Sequence, residues 1–140
     1  MAVRAAEAVW EGSLLHGKGT MRFKGFSGDF SAGSRFEEAP GTNPEELLGA
    51  AHAGCFSMEL AGILDKSGYT AERIDTVGRV HIDKVDKEYR ITRIELSTQV
   101  RAGGILRDEF MDMARRAKEN CPVSQALKGV EISLSAQLLQ

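Results

Sequence analysis

At 140 residues with a net charge of −2, the chain has the size of one domain and can build a core without disulfide staples. Both signs of charge are scattered along it, so no basic stripe points to nucleic acid and no polybasic run to a membrane surface. Its two cysteines are too few for a disulfide framework and do not have the spacing of a zinc site.

Residues 1–7 carry no apolar block of the kind a signal peptide needs, and a cytoplasmic protein with reduced thiols is expected. The first 36 residues read as strands and turns. Residues 6–10 alternate weakly, Gly17-Lys18-Gly19 turns the chain, and residues 20–23 form a strand. Gly25 and Gly28 break the pattern before a third strand over residues 30–36. These predict a three-stranded meander.

Pro40-Gly41-Thr42-Asn43 then announces a helix. Thr42 or Asn43 caps it, Pro44 suits its first turn, and Glu45 and Glu46 complement the positive end of its dipole. It is expected to run to Ser67 and stop at Gly68. Leu47, Leu48, Ala51, Cys55, Met58, Ile63 and Leu64 go nearly all round it, which marks a buried helix. His52, Ser57 and Glu59 interrupt the apolar stretch, so it is not read as a membrane span. Residues 74–85 and 89–100 suggest a long hairpin, broken at Gly103-Gly104. Residues 105–118 form an amphipathic helix with Ile105, Leu106, Phe110, Met113 and Ala117 on one face. Cys121-Pro122 opens a short helical turn, Gly129 ends it, and residues 130–139 alternate as a last strand. The order βββ-α-ββ-α-α-β is α+β, and no repeat or linker divides residues 1–140.

The cysteines are the best handle on chemistry, because environment sets thiol reactivity. Cys55 lies midway along the apolar helix, where a lone cysteine is ordinarily a small buried hydrophobe. Cys121 stands at a helix N-cap position before a proline, where backbone N–H groups favour a thiolate. A thiolate nucleophile needs a nearby cation, and such a cation needs a carboxylate to hold it. Arg35, Glu45 and Glu46 are the candidates. Glu45 precedes Cys55 by ten helical positions, roughly 15 Å of rise, too far for a relay within one chain. A second copy of the helix, crossing antiparallel about a two-fold axis near residue 50, would bring them together. Gly49, Ala50, Ala51, Ala53 and Gly54 are small enough for that close approach. The expectation is therefore a homodimer with shared active sites, the alternative being an intramolecular core helix packed on a sheet.

His52 shares a helix face with Cys55 and could form a Cys–His pair, although core and interface histidines are commoner. His16 and His81 have no evident partner in the sequence. Histidine and cysteine spacing gives no metal site, and no G-x-G-x-x-G or Walker pattern supports nucleotide binding. Met58, Met111 and Met113 read as core. Trp10 and Phe36 could line an apolar pocket or simply pack.

Arg35-Phe36, Gly41-Thr42-Asn43-Pro44-Glu45-Glu46-Leu47, Ala50-Ala51-His52-Ala53-Gly54-Cys55-Phe56-Ser57-Met58 and Cys121-Pro122-Val123-Ser124 together resemble the osmotically inducible protein C (OsmC) family. Its sister is the organic hydroperoxide resistance (Ohr) branch. Trp10-Glu11-Gly12 and Asp83-Lys84-Val85 add to a likeness that spans nearly the whole chain. The resemblance implies an intertwined homodimer of α+β subunits whose antiparallel sheets wrap long central helices. It also implies a thiol peroxidase that reduces organic hydroperoxides in preference to hydrogen peroxide, without cofactor or metal. By the same resemblance Cys55 matches the peroxidatic cysteine, Cys121 the resolving one, Glu45 the glutamate of a Glu–Arg pair and Arg35 its arginine. The first hairpin loop, where the Ohr branch carries its arginine, offers only Lys18, which favours the OsmC branch. Cys55 sulfenic acid would condense with Cys121 to a disulfide, and a lipoyl- or thioredoxin-type dithiol would restore both thiols. Two other function classes remain open on the residues alone: a redox-sensing or structural stress protein whose cysteine pair merely toggles, and a Cys–His hydrolase using His52.

Overall fold

The computed structural model describes every residue, Met1–Gln140. The elements run β1 (Glu7–Glu11), β2 (Lys18–Phe23), β3 (Phe26–Phe30), α1 (Ala32–Phe36), α2 (Pro44–Lys66), β4 (Ala71–Val85), β5 (Glu88–Ala102), α3 (Arg107–Asn120), α4 (Pro122–Ala126) and β6 (Glu131–Leu139). One three-stranded sheet has the order β1-β2-β3 and the other β4-β5-β6. The chain divides into two compact units, Met1–Leu47 and Leu48–Gln140, and the boundary falls inside α2. The class is α+β, as the element pattern predicts.

The first unit is the expected antiparallel meander. Trp10, Gly19 and Phe30 stand opposite one another across its three strands, and a Cβ at Gly19 would fall 2.5 Å from the Phe30 ring. Glycine there lets the Trp10 and Phe30 rings meet at 5.4 Å between centroids. The third strand departs from expectation. It runs Phe26–Phe30, through the expected break at Gly28, and residues 32–36, predicted to belong to the strand, are the helix α1. A capping box is the reason. The Ser31 hydroxyl accepts from the Ser34 amide at 3.1 Å, and the Ser31 amide donates to Ser34 Oγ at 2.8 Å. The returning loop is tied to β3 where the Thr42 amide donates to the Asp29 carbonyl at 2.8 Å. Gly41 permits that approach: its φ is +122°, and a Cβ would sit 2.7 Å from the same carbonyl.

In the second unit β4 and β5 form the long hairpin. Asp86 and Lys87 turn it at positive φ, 51° and 71°. The antiparallel expectation is corrected at the far edge, because β6 pairs parallel to β5. The crossover through α3 and α4 brings the chain back to run in the same direction, which a hairpin cannot do. Alternate residues of β5 (Ile94, Leu96, Val100, Ala102) face Phe110, Met113, Ala114 and Ala117 of α3 and Phe56, Leu60 and Leu64 of α2 in one core. Each large side chain removed from water there contributes about 1.5–3 kcal/mol.

By length and composition alone α2 meets the requirements of a membrane-crossing helix. Here its Phe56, Leu60 and Leu64 are fully buried in the core of their own chain. Gly49, His52, Phe56, Leu60 and Leu64 recur every three or four positions on its buried side, while Ala50, Ala51, Gly54 and Met58 are exposed. At Gly49 the helix backbone touches β4. A Cβ there would meet the Gly78 carbonyl at 2.9 Å, and one on Gly78 would meet the Gly49 carbonyl at 2.8 Å.

Candidate active site

Two clusters hold the residues singled out in the sequence. The first belongs to the N-terminal unit. Asn43 caps α2, its Oδ1 accepting from the Glu46 amide at 2.8 Å while its Nδ2 donates to the Ser34 carbonyl at 3.0 Å. One side chain therefore starts α2 and ties it to α1, which carries Arg35. Glu45, in the first turn of α2, is 7% exposed. Arg35 grips it from two nitrogens: Nε donates to Oε1 and Oε2 at 3.0 and 3.1 Å, and an Nη donates to Oε1 at 2.5 Å. This fork is the geometry in which arginine holds a carboxylate most firmly. Glu46 takes a different partner, accepting from the Thr42 hydroxyl at 3.1 Å, so the carboxylate that holds Arg35 here is that of Glu45. The Arg35 guanidinium also lies 5.3 Å from the Phe36 ring centroid. Trp10, Leu14, Phe30, Ala32 and Phe36 line a groove of about 280 Å³ on which Arg35 also borders. The lining role that the sequence left open for Trp10 and Phe36 is thus seen in the structure.

The second cluster joins α2 to the α3–α4 junction. Proline at 122 disfavours helical backbone in the residue before it. Cys121 is accordingly extended, at φ −60° and ψ 136°, so α3 stops and α4 begins there. The same backbone turn aims Cys121 Sγ at the start of α4, where it accepts from the Ser124 amide at 3.3 Å, the capping position read from the sequence. Cys121 is fully buried and Cys55 half-buried, both as free thiols. Cys121 is near enough to Cys55 to act on its thiol. Burial pushes the Cys55 thiol above its ordinary value. A hydrogen bond from the Val123 backbone opposes that rise, while Cys121 and the Glu59 carboxylate reinforce it.

His52 is fully buried, and its Nε2 lies 2.7 Å from the Ser124 hydroxyl. Its Nδ1 is buried without a hydrogen-bond partner. Neither ring nitrogen bonds to Cys55, so the structure gives a Cys–His nucleophile pair no contact to rest on. Burial lowers the His52 pKa, so the imidazole is neutral near pH 7. His81, for which the sequence offered no partner, pairs with Glu95 across the β4–β5 hairpin. No group of three or more His, Cys, Asp or Glu side chains is placed to hold a metal ion. Sequence reasoning gave Ser124 no chemical role. The only signal for it was its position three residues after an N-cap cysteine, where the capped amide belongs.

Residues 36–135 match the family model described as OsmC-like protein. The chain belongs to the OsmC family. It is 45% identical over 140 residues to the protein named peroxiredoxin OsmC of Escherichia coli K12, covering 96% of each chain. Among solved structures it superposes on an OsmC-like protein of unknown function from Vibrio cholerae with a TM-score of 0.78. That pair shares 20% identity, covering 97% of this chain and 99% of the other. The organic hydroperoxide resistance protein OhrB of Bacillus subtilis gives a TM-score of 0.69 at 23% identity, covering 99% and 100%. These two likenesses show the fold, and the OsmC-like fold is the one this chain adopts.

Proposed function

We propose that the protein is a thiol peroxidase that reduces organic hydroperoxides in peroxide defence. The observation that carries this reading is a pair of free thiols, half-buried Cys55 on α2 and fully buried Cys121 at the start of α4, near enough for one to act on the other. The Cys55 thiolate attacks the distal peroxide oxygen. The O–O bond breaks, the alkoxide takes a proton and leaves as alcohol, and Cys55 becomes a sulfenic acid. The Cys121 sulfur then attacks that sulfur, forming the disulfide as the S–O bond breaks and water leaves. A dithiol of lipoyl or thioredoxin type reduces the disulfide. The apolar lining beside Arg35 suits an alkyl or aryl hydroperoxide, since burying its organic group gains roughly 25 cal/mol per Å². The relative named peroxiredoxin OsmC supports the same chemistry.

A nucleophile at position 55 needs a cation, because every local influence except the Val123 hydrogen bond pushes its thiol up. We infer that the cation is Arg35, oriented by Glu45, of a second copy, in a two-fold homodimer where α2 crosses its counterpart antiparallel near residue 50. Exposed Ala50, Ala51 and Gly54, Met58 at 78% exposure, and β1, exposed along its whole length, support a missing partner. The two-cysteine usage suits a reducing, cytoplasmic setting.

Turnover of cumene hydroperoxide with dihydrolipoamide tests the peroxidase reading. Wild type should consume peroxide, Cys55→Ser should not, and Cys121→Ser should accumulate over-oxidised Cys55. An inert wild-type thiol would end this reading. Mixing Glu45→Ala with Cys55→Ser chains tests the shared site. Random exchange should restore about a quarter of wild-type turnover, one intact site in half of the dimers. A mixture as inactive as its parents would place each site within one chain.

A further inference from the structure

We propose that His52 is a positioning residue for the resolving step, acting through Ser124 to supply hydrogen bonds to the Cys121 sulfur as it attacks Cys55. This rests on the disulfide-forming role given to the two cysteines above, and extends it to residues with no assigned part in the reaction.

The geometry is a continuous chain. His52 Nε2 lies 2.7 Å from Ser124 Oγ, which lies 3.4 Å from Cys121 Sγ, and the Ser124 amide donates to the same sulfur at 3.3 Å. All three side chains are buried, His52 and Cys121 completely. The direction of the chain follows from the orphaned Nδ1. A buried N–H without an acceptor costs about 1–3 kcal/mol, and orphaned N–H groups are rarer in folded proteins than under-used acceptors. The neutral ring therefore keeps Nδ1 bare and carries its proton on Nε2, which donates to Ser124 Oγ. The lowered pKa that burial gives His52 agrees with a neutral ring.

In the reduced protein Ser124 Oγ, held in place by Nε2–H, has its own proton free to turn onto the Cys121 sulfur. Once the thiol proton is lost to solvent, this hydroxyl donor meets a charged acceptor and strengthens. Cys121 then receives two donors from one residue, the Ser124 amide and hydroxyl, and is held facing Cys55. No proton passes to His52. When the S–S bond forms, the leaving group on Cys55 departs with the electrons of the broken bond.

Thiol exchange tests this without any peroxide. Cys55 is loaded as a mixed disulfide with 5-thio-2-nitrobenzoate, releasing one equivalent of the coloured thiolate. Attack by Cys121 forms the internal disulfide and releases a second. His52→Leu and Ser124→Ala should slow the second release by about tenfold, the loss of one hydrogen bond to a charged group, and leave the first unchanged. His52→Gln, whose amide N–H occupies the Nε2 position, and Ser124→Thr should stay within about threefold of wild type. Equal rates in His52→Leu and His52→Gln, or a wild-type rate in Ser124→Ala, would overturn the proposal. So would slowing of both releases together, which marks a structural effect. Carbon-13 shifts of the His52 ring in the wild-type protein give an independent reading, and a proton on Nδ1 rather than Nε2 would also overturn it. A protein that fails to consume hydroperoxide refutes the peroxidase reading and leaves these rates and shifts unaffected, so the two failures are distinguishable.

Discussion

The two clusters solve opposite electrostatic problems. Around Arg35 and Glu45 the groups are fully charged, and a buried carboxylate is tolerated because a guanidinium forks onto it. Around Cys55, Cys121, Ser124 and His52 there is no partner charge, and burial favours the neutral form of both the Cys55 thiol and the His52 imidazole. The first is complete in its own charges yet has nothing to react. The second has two nucleophiles and no cation. Each lacks what the other has, and this is the physical argument for bringing them together in an assembly.

The comparison is broken most sharply by removing the cation. Arg35→Ala should leave Glu45 as an uncompensated buried charge and cost about 2 kcal/mol of stability, measured by urea unfolding. If Arg35 also serves the thiol, peroxide consumption should fall by about a hundredfold. Arg35→Lys keeps the charge but loses the fork, and should recover most of the stability and less of the rate. Loss of rate with no loss of stability would show that the pair is not a structural ion pair at all. Loss of stability alone would detach it from the chemistry.

Within α2, two glycines five positions apart sharpen the contrast between a face already filled and a face still open. Gly49→Ala forces a methyl against the Gly78 carbonyl, backbone against backbone with no side chain to yield. It should destabilise by about 1–3 kcal/mol despite the better helix propensity of alanine. Gly54→Ala meets nothing within 4 Å in its own chain, and in a lone chain should stabilise by up to about 1 kcal/mol. Thermal unfolding of the two variants side by side checks both signs. A destabilising Gly54→Ala would show that the open face is closely packed against a partner in solution.

Legibility followed how local the cause was. The start of α2 was readable because Asn43, Pro44, Glu45 and Glu46 act within one turn. The N-cap role of Cys121 was readable because Pro122 dictates it from the next position. The short helix carrying Arg35 was missed. Residues 30–36 end in apolar residues that mimic a strand, and the Ser31–Ser34 capping box outweighs them with two hydrogen bonds. The parallel edge of the second sheet was hidden for a different reason, since strand direction is set by where the α3–α4 crossover delivers β6. The His52–Ser124 contact was the least legible. It joins residues 72 positions apart, and a histidine three residues from a cysteine on one helix draws attention to the wrong partner.

The smallest expected effect concerns pH. His52 titrates below the ordinary histidine value of about 6.5 when folded and near that value when unfolded. Between those two values the unfolded chain binds more protons than the folded one, so stability rises with pH through that window. The contribution is present in full above about pH 6.5 and is lost as pH falls toward the folded value. Urea midpoints taken from pH 7.5 down to pH 5 should therefore decline, by an amount of order 1 kcal/mol for each unit by which the two values differ. His52→Gln keeps the hydrogen bond to Ser124 but cannot titrate, and should flatten this part of the profile while leaving the decline due to carboxylates at lower pH. Parallel profiles for the two proteins would mean that the imidazole gains a proton as easily inside the fold as outside it. The neutral character of the second cluster would then rest on the Cys55 thiol alone.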